Sequence, residues 1–349
     1  MDLIFPAPST RHPSGGVSMI YEYASCMAHR GHRVHLYHVD YFQADVTSLD
    51  DIDWFDFTED LVHHFARGQI EPATIPDADV IFGFSTEEQM PPHAGLPVVL
   101  LQGHQMLGER RERHAFTAPC PKVCVASWLI DVGRSYGVPD RQLVHVPLGL
   151  RHEKYRLTRP IAGRGPRVSF CYSEHPQKSS PLALDVLAAV RERVPTLEVV
   201  AFGAVAPSQS LPEWVTFVTN PDQEFLVDQI YNTSRVFLCT SEVEGFGLTS
   251  VEAMAGGAAL VTTDNGGCSD YAFHDRTALL APTRATDALT DHVVLLLADD
   301  ERQQQIATAG AEHARTFDWS RTGEILERFL EQYVDDPVSY GRPAMESSR

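Results

Sequence analysis

The chain has no long apolar run and little positive charge. None of its apolar stretches reaches the roughly 18 residues expected of a membrane-spanning helix. Its 28 Lys and Arg residues are outnumbered by 47 Asp and Glu residues, for a formal net charge of −19. Because such a charge repels phosphate backbones and anionic lipid surfaces at long range, we expect neither a nucleic-acid partner nor stable membrane association.

Cysteine is also scarce, and its positions do not suggest a disulfide framework. The six cysteines lie mostly in apolar, strand-like runs, which predicts buried and reduced thiols. Cys120 and Cys124 have a spacing compatible with a metal, but no second pair follows, so no zinc site is predicted. The first residues have neither the basic region nor the apolar stretch of a signal peptide, and we expect a cytoplasmic location.

The composition is that of a globular protein, with 43% hydrophobic and 21% charged residues. A length of 349 residues fits two domains of roughly 150 residues each. Strand-length apolar runs alternate with helical patterns throughout, which predicts an α/β fold with two parallel, doubly wound, Rossmann-like sheets. The segment 151–166 is polar, contains Pro and Gly and has no period, so it predicts the domain boundary.

The predicted elements follow from this alternation. Strands are predicted at 2–5, 33–38, 79–84, 97–102, 122–127 and 143–148 in the first half, and at 167–173, 197–203, 215–220, 235–241, 258–263 and 277–281 in the second. Helices are predicted at about 285–298, 301–315 and 320–334, and the tail 335–349 is expected to fray. Val17, Ile20, Tyr21, Ala24 and Met27 repeat at helical spacing, which predicts a helix with one buried face.

The segment 241–255, SEVEGFGLTSVEAMA, carries the most chemical information. Glu244 and Glu252 bracket a turn in which Gly245 and Gly247 remove side chains, so backbone N–H groups can approach a ligand. Glu244 is predicted in the loop and Glu252 in the first turns of the helix that follows. This pattern offers an acceptor to each end of an elongated, hydroxyl-rich ligand.

Here the sequence resembles glycosyltransferase family 4, whose mark is two glutamates separated by seven residues, as in Glu244-GFGLTSV-Glu252. The resemblance covers about 167–321 well and the first half more loosely. It implies a GT-B fold, with two Rossmann-like domains facing across a cleft: an acceptor domain at 1–150, a donor domain at 167–320 and a terminal helix at 321–349 that packs back toward the first. It also implies a retaining transferase with a nucleotide-sugar co-substrate and neither metal nor other cofactor.

The resemblance implies a role for each residue of the motif. Glu244 approaches the donor sugar, Glu252 holds the ribose hydroxyls, and the backbone of Gly245, Phe246, Gly247 and Leu248 contacts the sugar. A second interpretation stays open for Glu252. Thr249 and Glu252 also spell a T-x-x-E capping box, in which the glutamate would only satisfy a helix N-terminus.

The donor diphosphate needs positive charge, and Lys178 in the segment FCYSEHPQKSS (170–180) matches the lysine of the family. The arginine that usually accompanies it is absent, because that position is Ser173 or Gln177 depending on the relative compared. His175 is a further candidate for the diphosphate. Lys178 remains open to the simpler interpretation of an ordinary surface lysine.

In the first half, Ser14-Gly15-Gly16-Val17 follows the first strand, and a Gly-Gly turn at a helix N-terminus suits a phosphate. The resemblance assigns donor contact to Gly16 and to His104, which follows the strand ending near Gln102. An ordinary turn and an ordinary loop histidine are the alternatives.

Two D-x-D segments, Asp51 to Asp53 and Asp77 to Asp79, spell the motif of metal-dependent transferases. The second precedes its strand and so lies away from the ligand edge of the sheet, and we predict both pairs to be solvated turn acids with no metal.

The expected activity is transfer of a hexose to a soluble glycan or small-molecule hydroxyl, as in polysaccharide biosynthesis. The resemblance extends to mannosyl- and rhamnosyl-transferring branches of the family, which makes GDP-mannose the first candidate donor, before dTDP-rhamnose and UDP-glucose. The alternatives are a sugar-nucleotide epimerase or phosphorylase, a non-catalytic binding lobe, and a nicotinamide-dependent oxidoreductase. Asp40 at the end of the second strand favours the last of these, but the first loop lacks G-x-G-x-x-G.

Overall fold

The computed structural model describes residues 1–40, 43–68, 70, 75–84, 95–105 and 108–341. The strands are β1 (Asp2–Pro8), β2 (Arg33–Val39), β3 (Leu61–Ala66), β4 (Val80–Phe84), β5 (Leu96–Leu101), β6 (Lys122–Cys124), β7 (Leu143–His145), β8 (Arg167–Cys171), β9 (Glu198–Gly203), β10 (Val215–Thr219), β11 (Val236–Cys239), β12 (Ala259–Thr263) and β13 (Ala278–Ala281). The helices are α1 (Gly15–His29), α2 (Glu109–Thr117), α3 (Trp128–Ser135), α4 (Ser180–Arg193), α5 (Gln223–Phe225, continued by a π-helix Leu226–Tyr231), α6 (Leu248–Ala255), α7 (Thr286–Ala298), α8 (Asp300–Ala314) and α9 (Trp319–Asp335).

These elements form two compact units, Met1–Gly149 with Trp319–Arg349, and Leu150–Asp318. The first unit has a sheet in the order β3-β2-β1-β4-β5-β6-β7, and the second has β10-β9-β8-β11-β12-β13. Every pairing in both sheets is parallel. The strand order therefore reverses direction between β1 and β4 in one unit and between β8 and β11 in the other, as in doubly wound sheets.

Helix α1 is buried over more of its surface than its period predicts. The predicted face is buried, and so are Met19, Tyr23 and Cys26. The reason is α9, which lies against the other side of α1: Cys26 Sγ donates to the carbonyl of Trp319 at 3.1 Å. At the end of α1, Arg30 forms an ion pair with Glu327 of α9, and His32 hydrogen-bonds to the same carboxylate at 2.8 Å. A helix covered on two sides buries residues that a single amphipathic face would leave in water.

The core of the second unit is built from β-branched and leucine side chains of its central strands. Val168, Val236 and Val261 are buried in it together with Leu187 of α4 and Leu289 of α7. Because strands covered by helices on both faces bury every residue, these strands are near-continuous apolar runs. The sequence predicts each of them to within two residues at either end.

Strand β3 is not predicted from the sequence. Its residues, LVHHFA, contain two histidines at its centre, and the strand lies at the edge of its sheet with Val62 exposed. Both histidines are satisfied laterally: His63 and His64 hydrogen-bond to His38 and His35 of β2. An edge strand held by polar pairs does not show the apolar pattern on which the prediction rests.

The prediction that the tail frays is wrong for its described part. Residues Pro337–Tyr340 form a 3₁₀ turn that begins with Asp336, whose carboxylate accepts from the backbone N–H of Ser339 at 3.2 Å. Tyr340 is buried and its ring packs against Phe329 and Tyr333. The tail is therefore ordered by an aromatic contact with α9. Residues 342–349 lie outside the described residues.

The polar segment 151–166 has no helix or strand but is bound to the second unit. Arg164 is buried, and its guanidinium donates to the carbonyls of Ser234 and Gly256 at 2.9 and 2.8 Å, and to others nearby. The side-chain amide oxygen of Asn232 accepts from the N–H of Thr158 at 2.7 Å. Composition alone suggests a loose linker, but one buried arginine satisfying several carbonyls orders it.

All six cysteines are free, and five are buried, as predicted. Within the described ranges, no helix has both the length and the apolarity needed to cross a membrane. Nor do these ranges contain three or more His, Cys, Asp or Glu side chains grouped closely enough to hold a metal ion.

Candidate active site

Two loops of the second unit meet where its strand order reverses. One follows β8 and leads to Lys178, and the other follows β11 and leads to Glu244. The N–H of Glu242 donates to the carbonyl of Gln177 at 2.7 Å, and the hydroxyl of Thr240 donates to the carbonyl of Ser179 at 3.0 Å. The topology thus places both loops at the carboxyl edge of the sheet, where open α/β sheets bind ligands.

Lys178 and Glu244 form an ion pair across these loops. Lys178 Nζ lies 2.7 Å from Oε1 and 2.8 Å from Oε2 of Glu244, and the hydroxyl of Ser241 donates to Oε1 at 2.6 Å. Partial burial disfavours the charged ammonium, but the carboxylate of Glu244 prevails and raises the pKa of Lys178. Glu244 is buried, whereas the lysine side chain is 39% exposed. The cation therefore keeps access to solvent while fixing the carboxylate.

The glycine turn after Glu244 requires a glycine at position 247. Gly247 has φ +94°, and a Cβ there would overlap the hydroxyl of Tyr271. The facing loop is equally close: a Cβ on Gly267 would lie 2.8 Å from Cβ of Glu244. The N–H of Glu244 donates to the carbonyl of Asn265 at 3.0 Å, which pairs the two loops. Because both contacts leave no space for a side chain, the path of the turn is set by packing.

Glu252 lies in α6, on the fifth residue of the helix, and two tyrosines bind it. The hydroxyl of Tyr231 donates to Oε2 at 2.8 Å, and Tyr155 also hydrogen-bonds to the carboxylate. Burial raises the pKa of Glu252 to about 7, while both phenol hydrogen bonds act in the opposite direction. The N-cap of α6 is Gly247, with no side-chain cap. The capping-box alternative is therefore wrong, because Thr249 is already inside the helix.

The other predicted residues of this unit lie on the same two loops. Ser173 shapes the first: its N–H donates to Ser180 Oγ at 2.9 Å, and its own Oγ accepts from the N–H of His175 at 3.2 Å. His175 is exposed. The side chain of Phe246 is buried against Tyr271 and Phe317, so its contribution to a ligand is limited to its backbone.

Gly245 is buried, and Leu248, the first residue of α6, is partly buried. The structure thus brings the predicted donor-binding residues of the second unit onto two adjoining loops and the first turns of α6. Their contacts with a ligand remain predictions.

In the first unit, Gly16 and His104 both follow strands of the sheet. The side-chain amide of Gln102, just after β5, donates to the carbonyl of Gly16 at 3.1 Å. A Cβ on Gly16 would lie 2.9 Å from the side-chain oxygen of Gln102. His104 Nε2 hydrogen-bonds to the hydroxyl of Tyr136 at 3.0 Å and lies 3.5 Å from Glu112. Its ring is packed among aromatic side chains. The roles predicted for both residues in donor binding stay predictions.

The acids of the two D-x-D segments hold turns together. Asp79 precedes β4 and accepts from the N–H of Asp2 at 2.8 Å. Asp51 accepts from the N–H groups of Thr47 and Ser48 and pairs with Arg11. The hydrogen bond from the Thr47 N–H is the main reason that the pKa of Asp51 is lowered. Asp51 is therefore bound mainly within its own loop, whereas Asp79 binds the start of β1.

The segment that contains these loops is similar to a known protein family. Residues 174–313 match the family profile of the Glycosyl transferases group 1. The matched segment contains Lys178, Glu244 and Glu252. The match shows that this part of the second unit is similar to the Glycosyl transferases group 1.

Curated relatives of the chain are glycosyltransferases. The D-inositol 3-phosphate glycosyltransferase of Mycobacteroides abscessus is 29% identical over 181 residues, 48% of this chain and 40% of that protein. The enzyme of the same name from Nocardia farcinica is 28% identical over 222 residues, 57% of this chain and 48% of that protein. The chain thus spans about half the length, or less, of these relatives.

Solved structures share the fold over nearly all of the chain. Sucrose-phosphate synthase from Thermosynechococcus elongatus superposes with a TM-score of 0.75 at 16% identity, covering 96% of this chain and all of that one. Anabaena Alr3699/HepE in complex with UDP superposes with a TM-score of 0.76 at 15% identity, covering 95% of this chain and all of that one. The predicted α/β fold of the GT-B type, with two Rossmann-like units, is confirmed.

Sequence reasoning missed the residues that hold the two glutamates. Ser241 binds Glu244, while Tyr155 and Tyr231 bind Glu252. Ser241 lies within the glycine-turn motif, three residues before Glu244, and a hydroxyl beside a buried carboxylate is a usable signal. Neither tyrosine has such a signal in the sequence, because each comes from a segment that is distant in sequence from Glu252.

The second unit also contains a cavity of about 510 Å³. It is lined by side chains including Arg167, Arg191, Trp214, Thr216 and Phe225, along the edge strand β10. None of the predicted site residues lines it. The two loops that carry Lys178 and Glu244 do not contribute to its lining, so this cavity is separate from the charged constellation of those two residues.

Proposed function

We propose that the chain is a retaining, metal-independent glycosyltransferase that moves a hexose from a nucleoside diphosphate sugar to a hydroxyl group of a soluble saccharide or small molecule. The observation that carries the proposal is the Lys178–Glu244 ion pair at the point where the strand order of the second sheet reverses. It places a cation and a carboxylate side by side, which matches the phosphate and the hydroxyls of such a donor.

Each group has a separate task in this proposal. An ammonium has three N–H donors, and two of those on Lys178 point to Glu244. The third meets the diphosphate, as does the N-terminal end of α4, which starts at Ser180 and has a positive dipole end. Glu244 accepts from the sugar hydroxyls, and Glu252 accepts from the ribose hydroxyls.

Transfer builds positive charge on the anomeric carbon and negative charge on the departing phosphate. Lys178 and the backbone N–H groups stabilise the phosphate charge because they are oriented before the reaction begins. Retention is proposed to follow from attack on the face that the phosphate leaves, with the phosphate taking the proton of the acceptor. Glu244 orients the sugar and forms no covalent bond.

The donor is proposed to be one of GDP-mannose, dTDP-rhamnose and UDP-glucose. The resemblance to mannosyl- and rhamnosyl-transferring branches of the family favours GDP-mannose. The HepE structures in complex with UDP and glucose and with UDP-glucose support UDP-glucose equally. A small-molecule acceptor is supported by relatives named for D-inositol 3-phosphate.

The alternative functions have less support. A nicotinamide-dependent oxidoreductase would use Asp40 for a ribose, but this carboxylate accepts from the N–H groups of Ala44 and Asp45 at 2.7 and 3.1 Å and closes a turn. The family match and the named relatives favour transfer over an epimerase or phosphorylase.

The test compares two glutamates of one loop. Glu244→Ala is expected to lose at least about 100-fold in transfer rate from its best donor, because the sugar loses its orienting acceptor. Glu242→Ala is the matched control, since Glu242 forms an exposed ion pair with Arg284 and is two residues away. Donors are first selected from the three nucleotide sugars by calorimetry. Equal turnover in the two variants would reject the assignment.

A further inference from the structure

Glu252 is held by neutral donors, in contrast to Glu244, which is held by a cation. Tyr231 comes from the last position of the π-helix and Tyr155 from the turn closed by the hydrogen bond of its own N–H to the carbonyl of Arg151 at 2.8 Å. Both hydroxyls bind one carboxylate on a third element, α6. Tyrosine hydroxyls from two separate segments therefore bind the same carboxylate. This is a preorganised arrangement and not an incidental surface contact.

The tyrosine side chains have little freedom to leave this arrangement. Tyr231 is fully buried, its ring packs against Phe202 and Phe237, and a Cβ on Gly256 would lie 2.7 Å from its Cβ. Its hydroxyl is therefore fixed by the core of the unit. The glutamate it binds is a partly buried residue.

Hydrogen-bond capacity shows what remains for a ligand. An ionised carboxylate has about four acceptor positions, and the two phenols use two of them. The remaining two match the two hydroxyls of a vicinal diol. A protonated carboxyl group loses acceptor capacity and adds a donor, so it fits a diol held beside two phenols poorly.

We propose that Tyr155 and Tyr231 are positioning residues that keep Glu252 ionised and oriented for the ribose diol, so that protonation of Glu252 weakens donor binding. This inference rests on the proposed function and adds to it a regulation of the same site by pH. The phenols do no chemistry on the donor. Their effect is transmitted through the carboxylate that they bind.

The local electrostatics place this change close to neutrality. Burial raises the pKa of Glu252 to about 7, and the phenol hydrogen bonds keep it from rising further. The titratable groups that interact with it are Tyr155, Tyr231 and Cys171 of β8. Burial raises the pKa of the Cys171 thiol to about 12 and that of Tyr231 well above its ordinary value, so neither carries charge near pH 7. None of these groups supplies a positive charge that would neutralise ionised Glu252.

The test measures binding of UDP-glucose and GDP-mannose by calorimetry between about pH 5.5 and 8.5, a range that spans the Glu252 pKa. A sugar-linked diphosphate does not change its charge in this range, so a change in affinity reports on the protein. With a pKa near 7, wild-type affinity is expected to be about tenfold lower at pH 6 than at pH 8. Tyr231→Phe and Tyr155→Phe are expected to move the midpoint of this change to higher pH, because each removes a hydrogen bond that favours the carboxylate.

Two further variants complete the design. Glu252→Gln is expected to bind weakly and without the step near pH 7. Tyr172→Phe is the matched control, since the ring of Tyr172 packs on Phe217 and it is partly buried like Tyr155; it is expected to keep the wild-type midpoint. Melting temperatures at pH 8 identify any variant that fails to fold, and the second tyrosine variant then decides.

The outcomes separate the two proposals. If the tyrosine variants bind donor with the wild-type midpoint, or if Glu252→Gln keeps the step, the inference is overturned while the proposed function stands. If neither of these two donors nor dTDP-rhamnose binds at pH 8, the proposed function fails and the inference fails with it.

Discussion

Lys178 Nζ contacts both carboxylate oxygens of Glu244, at 2.7 and 2.8 Å, although the two residues are separated by 66 positions in the chain. The contact connects the loop after β8 to the loop after β11. It therefore joins the group expected to meet the donor phosphate to the group expected to meet the donor sugar. Any change in one of these residues acts on both parts of the proposed site.

Replacement of the lysine tests this coupling. Lys178→Met is expected to lower kcat/KM for donor turnover by about 100-fold or more, the usual effect of removing one preorganised donor from a developing anion. It also leaves the buried Glu244 without its cation, so a drop in melting temperature is expected as well. Steady-state kinetics and thermal unfolding measure the two effects.

Arg284→Met is the control for this prediction, because it removes an exposed cation that pairs with Glu242 of the same loop. It is expected to change kcat/KM by less than about threefold, since exposed ion pairs contribute little. A lysine variant that behaves like the arginine variant would contradict the coupling.

Gly247→Ala tests the packing of the glycine turn. The substitution is expected to destabilise the second unit by about 2–4 kcal/mol, from backbone strain at φ +94° and from overlap with the Tyr271 hydroxyl. Adding Tyr271→Phe removes the hydroxyl and leaves the nearest ring atom, Cζ, 3.5 Å from the new Cβ. The double variant should therefore recover the part of the lost stability that is caused by overlap with the hydroxyl. Denaturant unfolding measures the wild type and both variants.

Gly163→Ala separates strain from overlap. Gly163 has φ +79°, and a Cβ added there would meet nothing within 4 Å, so only the backbone strain of about 1 kcal/mol is expected. Equal losses for Gly163→Ala and Gly247→Ala would show that the contact with Tyr271 has no energetic weight.

The stability of the first unit is expected to decrease on acidification. His38 is buried between Tyr21 and His63, and burial lowers its pKa to about 3. The unfolded chain takes up this proton near the ordinary pKa of about 6.5. The contribution of neutral His38 is therefore complete above about pH 6.5 and is lost as the pH falls toward 3, by about 1.4 kcal/mol for each pH unit.

Melting curves between about pH 7.5 and 4.5 measure this dependence, because the range lies across the unfolded-state pKa. His38→Gln should show a smaller decrease in melting temperature over that range than the wild type, although it starts from a lower value. His29→Gln replaces an exposed histidine of α1 and should keep the wild-type slope. An unchanged slope in His38→Gln would mean that other groups account for the acid sensitivity.

Much of the fold was predictable because a parallel strand that is buried on both faces has a continuous run of apolar residues in the sequence. Val236 and Val261 lie in apolar runs whose ends agree with the observed β11 and β12 to within two residues. Strand β3 has no such apolar run, since His63 and His64 lie at its centre and hydrogen-bond to histidines of the neighbouring strand. A pattern of apolar residues detects burial against a core and does not detect lateral polar pairing.

The amino-acid sequence by itself determined the α/β class, the two repeated sets of strands and helices, and the glutamate-bracketed turn at 244–252, because these depend on local composition and spacing. Only the tertiary structure decided which side chains hold the glutamates. Lys178, Tyr155 and Tyr231 reach Glu244 and Glu252 from other segments, through strand order and helix packing. Such pairings arise when distant segments are brought together on folding, and local spacing carries no record of them.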